Sequence, residues 1–462
     1  MKLASTCLRV GRVAALMVLV LAWTGCGDVF RPVAIPQPPP PPDPSSLHFD
    51  IVLTRNGPSN PGDSSRLDVS GDTNVGTATV GLGPVHVTML PNGSRLYIAN
   101  GEEDTVSTYS PSSITPVTTI SLPAGSVPVF VTTTESGFVY VANSAGGAPG
   151  VGTVAVIPTA TNVVSAILTV GTNPVSLAEL PNATKLYVAN QGDSTVRVIN
   201  TVDKTLAPNP VADPGGTIAS PVWVVARSDS ARVYVLSAGS GNVSAIDSSS
   251  DTVVASASAG AGANYMVYDP TRNRLYITNP VASTVTLLDV STDTLTPITL
   301  PITGTPVSVA ALPDGTRAYV ASYQVSAPSC PADQPCSITS QVTVINASSN
   351  TISSVISMGT VNVDNLTNPI TGTVNDTGCN PDTTTHPVRF RLSIAASGDS
   401  TKVQVAHCDA GSTYIIRTSN DTLETDSQGN PLVIPAPVSS FPPPDVGGQP
   451  PPQNPTFLFS AQ

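Results

Sequence analysis

The hydrophobic pattern of this chain is one of short alternations that come back. Arg95-Leu96-Tyr97-Ile98-Ala99-Asn100 returns as Lys185-Leu186-Tyr187-Val188-Ala189-Asn190 and as Arg274-Leu275-Tyr276-Ile277-Thr278-Asn279, with looser copies between them. Alternating β-branched and aromatic residues mark each copy as a β-strand. The aligned tyrosines Tyr97, Tyr140, Tyr187, Tyr234, Tyr276 and Tyr319 are spaced 43, 47, 47, 42 and 43 residues apart. That period is the length of one four-stranded propeller blade, so the chain reads as an array of blades.

A second mark recurs ten residues after the Tyr strand, as from Asn100 to Ser110, Asn190 to Asn200 and Asn279 to Asp289. It is a polar corner with a Thr five residues on: Asp68 to Thr73, Asp247 to Thr252, Asp289 to Thr294, Asn346 to Thr351. Short polar side chains bond their own backbone there, ending one strand and starting the next. Counting degenerate copies at Pro158 and Arg417 gives eight corners. The same spacing makes Lys402 to His407 and Asp50 to Asn56 second strands of outlying blades.

First strands open with Pro-Val at Pro84, Pro128, Pro174, Pro221, Pro306 and Pro387, and Ala263-Asn264-Tyr265 fills one slot without Pro. Seven first strands serve eight corners, so the N-terminal unit lacks its own. Asn430 to Ile434 is the expected substitute, closing the ring by pairing the two chain ends. The predicted fold is an all-β propeller of eight four-stranded blades over residues 47–437, with seven blades if a terminal copy stands outside the ring.

These strands resemble the YVTN-type β-propeller repeat, whose strand reads close to Leu-Tyr-Val-Ala-Asn and whose next strand ends near Ile-Asp. The resemblance implies the fold over about residues 47–437 and, from the family's usual count, seven blades. It implies no single activity, because such propellers include binding modules, enzymes and many proteins of unknown role, with lactone hydrolases and quinone-dependent dehydrogenases among the relatives.

Composition narrows the setting. Charged residues are 11% of 462, the net charge is −12, and the 19 basic residues are scattered, which lacks the footprint of a nucleic-acid binder. Met1 to Gly25 has a basic start, an apolar run from Val13 to Trp23 and small residues before Cys26, the layout of an exported leader. That run is shorter than the ~20 residues of a membrane span. The Cys after Thr24-Gly25 resembles a bacterial lipoprotein signal, with Trp23 where that pattern prefers Leu. The expectation is lipidation at Cys26, an envelope location facing the periplasm or exterior of the outer membrane, and membrane contact through the anchor only. A plainly cleaved leader is the alternative. Residues 26–46, with five prolines from Pro38 to Pro42, read as a tether in polyproline II geometry spanning up to roughly 60 Å. Residues 438–462, again Pro-rich, read as a disordered tail.

With Cys26 lipidated and Cys7 removed, Cys330, Cys336, Cys379 and Cys408 remain. The first two lie in an expanded loop between the second and third strands of one blade. Cys379 lies in an insertion of roughly residues 361–385 before the next blade's first strand, and Cys408 follows that blade's second strand. Such loops emerge on one face, which predicts Cys330–Cys336 and Cys379–Cys408 bridges. A zinc site from Cys379, His386, His407 and Cys408 is the rival, without the paired spacing such sites use.

Candidate chemistry sits at the third position of the first strands: His86, Phe130, Ser176, Trp223, Tyr265, Ser308 and Arg389. Aromatic groups and an Arg at a channel mouth suit a small polar ligand or a peptide, and packing between blades is the plainer alternative. The chain has four histidines, no Gly-x-Ser-x-Gly elbow and no His-Glu-x-x-His. Asp364, Asp382 and Asp409 are the acidic residues a lactonase-like hydrolase would draw on, and two tryptophans leave little to stack a quinone cofactor. The expected role is noncatalytic recognition, with no cofactor or metal, of a small ligand or envelope protein on the face carrying the insertions.

Overall fold

A computed structural model describes residues 49–57, 59–133, 136–146, 150–292, 295–326, 337–362, 379, 391–438 and 453–460. Among these residues all regular structure is β, arranged as eight antiparallel sheets in a ring, an eight-bladed propeller. We number the blades in chain order and give each from its innermost strand outward. Blade 2 is Pro84–Met89, Leu96–Asn100, Thr105–Ser110, Thr115–Ser121, and blade 3 is Pro128–Thr133, Phe138–Gly146, Gly152–Pro158, Ala166–Gly171. Blade 4 begins at Pro174–Glu179, blade 5 at Pro221–Ala226, blade 6 at Tyr265–Asp269, blade 7 at Thr305–Ala311 and blade 8 at Leu392–Ala396.

Blade 1 closes the ring and corrects two expectations. Its outer three strands are Phe49–Arg55, Pro61–Asp68 and Thr73–Leu82, and its innermost strand is Asn454–Ser460, from the segment read as a disordered tail. Asn430 to Ile434 does not close it. Val433–Pro435 instead pairs with Ser412–Tyr414 on the outside of blade 8, whose fourth strand, Thr422–Leu423, is only two residues long. A blade exposing the edge of Ser412–Arg417 needs that patch, whereas ring closure needs an apolar inner strand, which Pro455-Thr456-Phe457-Leu458 supplies and which packs against blade 8 and blade 2.

The Tyr strands are second strands, pressed between neighbouring blades, so both faces are buried: every residue of Leu96–Asn100 is inaccessible, while Thr115–Ser121 at the rim buries only Ile120. The corners serve the next seam. At each described corner a residue ahead of the fourth strand takes a left-handed φ between 53° and 59° (Asp72, Ile114, Asn162, Lys204, Asp251, Asn350, Asp421), a conformation Asp and Asn tolerate. Many of these side chains accept from the preceding blade. Tyr97 donates to Asn162 at 2.8 Å, Tyr187 to Asp251 at 2.6 Å and Tyr319 to Asp421 at 2.6 Å. Basic residues that open the second strands join them: Lys185 to Asp251 at 2.8 Å, Arg274 to Asn350 at 2.6 Å, Arg317 to Asp421 at 3.0 Å, and Lys402 to Asp72 at 2.5 Å across the closing seam. That closing seam is also the polar one. Gln404 occupies its Tyr slot and Asp50 an otherwise apolar slot, both fully buried.

Candidate functional site

Strand register defines the site. In blade 2 Pro84 pairs with Asn100 and His86 with Ala99, so Val85 is an extra residue, a β-bulge. The same shift occurs at Pro128/Phe130, Pro174/Ser176, Pro221/Trp223 and Pro306/Ser308, and at Pro455/Phe457 opposite Thr54 and Leu53. A bulge re-aims the residue that follows it, and Pro, with no N–H to donate, is tolerated where the ladder is interrupted. The residue opposite the last apolar position of the second strand is therefore equivalent in all blades. From blade 1 to blade 8 it is Phe457, His86, Phe130, Ser176, Trp223, Tyr265, Ser308 and Ser393.

Two of these differ from the expectation. Arg389 lies outside the described residues, and the slot assigned to it belongs to Ser393, which pairs with Ala406 as His86 does with Ala99. Phe457 was missed, although Asn454-Pro455-Thr456-Phe457 repeats the pattern of Asn173-Pro174-Val175-Ser176. A Thr in place of Val hid it.

The expected aromatic residues do come together. His86 stacks on Phe130 with ring centroids 3.8 Å apart and meets Phe457 at 4.8 Å. Phe130 meets Trp223 edge-on at 5.6 Å, across Ser176, whose small side chain leaves the room, and Trp223 meets Tyr265 at 4.8 Å. The polar members lock neighbouring blades. Val131 N–H donates to His86 Nδ1 at 3.5 Å, Val224 N–H to Ser176 Oγ at 3.2 Å, and Leu458 N–H to Ser393 Oγ at 3.0 Å, while Ser308 Oγ donates to the Leu392 carbonyl at 2.7 Å. Burial holds the His86 pKa down near 3, so the ring is neutral with its proton on Nε2. Burial also pushes the Tyr265 phenol up to about 12.

The five rings, of Phe457, His86, Phe130, Trp223 and Tyr265, form the floor of a cavity of about 620 Å³. Its walls are the later parts of the inner strands and the turns after them, including Leu90, Pro91 and Pro181, so it opens on the face of the corners. The aromatic ring was expected to open toward the face of the insertions, and the cavity lies on its other side. Two residues beyond the floor, strand alternation sets a second tier of Thr88, Thr132, Ala178, Val225, Val267, Ala310, Ala395 and Phe459, all lining the cavity.

On the opposite face the described cysteines pair as expected, Cys379 with Cys408, Cα atoms 5.7 Å apart. Cys330, Cys336, Cys26, His386, Asp364 and Asp382 lie outside the described residues. Asp409 is buried in an ion pair with Arg391 at 3.2 Å, and the Arg391 guanidinium lies 5.0 Å from the Tyr323 ring centre. Beside them Ala410 N–H donates to His407 Nδ1 at 3.3 Å, which leaves Nε2 to donate to Ser340 Oγ at 2.9 Å. Burial, and next the Arg391 charge, hold the His407 pKa near 4. The disulfide takes both sulfurs from any zinc set, and the Arg391–Asp409 pair reads as a brace for the loop.

No family sequence profile and no curated protein matches the chain. Among solved structures, it is similar to dihydro-heme d1 dehydrogenase NirN in complex with DHE, at 12% identity, covering 83% of this chain and 75% of that one with a TM-score of 0.59. It is also similar to a proposed 6-phosphogluconolactonase from Bacteroides uniformis, at 14% identity, covering 69% and 100% with a TM-score of 0.51. Identities this low show the propeller fold alone.

Proposed function

We propose that this chain is a noncatalytic recognition module, displayed from the cell envelope through Cys26 and its Pro-rich tether, that takes its ligand in the central funnel. The observation that carries the reading is the funnel floor. Its rings pack on one another, its hydroxyls are engaged between blades, and its one imidazole is held neutral by burial, an arrangement suited to contact and not to proton transfer. The ligand site thus moves from the insertion-bearing face to the corner face.

A lactonase-like hydrolase is the second reading, favoured by the likeness to the Bacteroides uniformis structure. Asp409, one of the acids it would use, is committed to Arg391. Trp23 and Trp223 are the two tryptophans of the chain, so Trp23→Phe leaves Trp223, in the floor, as sole reporter. Titrating that full-length variant with a ligand library and a lactone panel separates the readings. Saturable change in Trp223 emission without turnover supports recognition, and lactone turnover overturns it. Labelling with a palmitate analogue tests the anchor: wild type incorporates label and Cys26→Ala does not, and equal labelling removes the envelope part of the proposal.

A further inference from the structure

The funnel is not symmetric, and its asymmetry describes an occupant. Blades 1, 2, 3, 5 and 6 each put a ring in the floor beneath Phe, Thr or Val in the second tier. Blades 4, 7 and 8 carry Ser below Ala, as in Ser308 with Ala310 and Ser393 with Ala395. Blades 7 and 8 are adjacent, so Ala310 and Ala395 make a niche of small side chains in the cavity wall, facing a shelf of rings around the rest of the floor.

Neither tier holds a charged side chain. One charged residue, the buried Glu179 next to Ala178, is among those lining the cavity; at the rim Arg227 pairs with Asp229 at 2.8 Å and donates to the Val290 carbonyl at 3.2 Å, and Asp269 Oδ1 accepts from the N–H groups of Thr271 and Arg272. An anionic guest would lose hydration and find no Lys or Arg lining the cavity, only Glu179, whereas a flat apolar guest gains the ring faces and edges of the shelf. A cavity of about 620 Å³ is in the size range of small-molecule sites.

We infer that the funnel binds a planar hydrophobic small molecule that carries no negative charge, laid against the shelf of rings with one edge in the niche formed by Ala310 and Ala395. This rests on the recognition reading above and gives it a ligand class. Ala310 and Ala395 both line the cavity, so bulk added at either narrows it against the guest.

The test uses two probes on one ring skeleton, neutral N-phenyl-1-naphthylamine and its sulfonated relative 1-anilinonaphthalene-8-sulfonate, with the full-length Trp23→Phe chain. The neutral probe should quench Trp223 and bind at least about ten-fold more tightly than the sulfonate. Ala395→Phe should weaken it by about ten-fold or more in a chain that still melts cooperatively, and Ala310→Leu gives a milder fill if Ala395→Phe does not fold. Equal binding of the two probes, both lost on filling the niche, overturns the ligand class and leaves the recognition site standing. Binding indifferent to both fills overturns the seat. Lactone turnover in a chain that binds neither probe overturns the recognition reading itself.

Discussion

Tyr187 of blade 4 donates its hydroxyl to Asp251 of blade 5 at 2.6 Å, and Lys185 grips the same carboxylate at 2.8 Å. Asp251 stands at the left-handed residue of a corner, so a local turn feature of one blade is the anchor point of the one before it. Replacing Asp251 with Ala removes both partners at once and should cost roughly 2 kcal/mol, against about 1 for Tyr187→Phe. Thermal unfolding of the two variants checks this, and an unchanged melting temperature for Asp251→Ala would contradict the stitching role.

At the closing seam Asp50 is fully buried, with Ser460 and Asp399 as the polar neighbours acting on it. Burial first, and then repulsion from Asp399, raise its pKa from 3.8 to about 7, partly opposed by Ser460. The folded state thus holds this proton more tightly than the unfolded chain. Its contribution to stability is fullest below pH 4 and is lost as pH rises from about 4 through 7, by on the order of 4 kcal/mol. Asp50→Asn should flatten that part of the stability curve and raise the melting temperature at pH 8. If wild type and Asp50→Asn show parallel curves between pH 4 and 8, Asp50 is not the titrating group.

Removal of residues 453–462 takes away the innermost strand of blade 1 and bares the edge of Phe49–Arg55. The shortened chain should lose its single cooperative transition and aggregate. Phe457→Ala, a milder lesion in the floor, should cost about 3 kcal/mol. A truncated chain that melts like the full one would refute closure by this strand.

Nonreducing peptide mapping of exported protein should find Cys379 joined to Cys408, and also Cys330 to Cys336 as the spacing predicts. Because the first bridge ties a loop to blade 8 beside the Arg391–Asp409 pair, its reduction should expose that loop to protease before the blades melt. Free thiols at Cys379 and Cys408 would contradict the arrangement.

The ring was legible in the sequence because a second strand buried on both faces favours apolar residues and the corner favours short polar ones, and both marks recur in most blades. The aromatic floor was legible for the same reason, since Pro-Val set the register that brought His86, Phe130, Trp223 and Tyr265 together. What escaped were positions where the marker changed while the geometry did not. Thr456 replaced the Val that would have identified the closing strand, and a tract of prolines before it disguised a strand as a tail. Blade 8 has no described Pro at the start of its inner strand, so Pro387 drew the register to Arg389, four residues short of Ser393, which the strand pairing places opposite Ala406. The direction in which the funnel opens depends on side-chain size two residues beyond the floor, and loop length on the other face drew attention away from it.

The central claim is that recognition happens in the funnel on the corner face, and hydrogen–deuterium exchange of the full-length chain with and without a bound ligand tests it most directly. Protection should appear at the later parts of the inner strands and the turns after them, in residues 87–91, 224–227, 309–312, 394–397 and 457–460. Protection confined to the insertion-bearing face, around residues 322–341, with the inner strands exchanging as before, would contradict it.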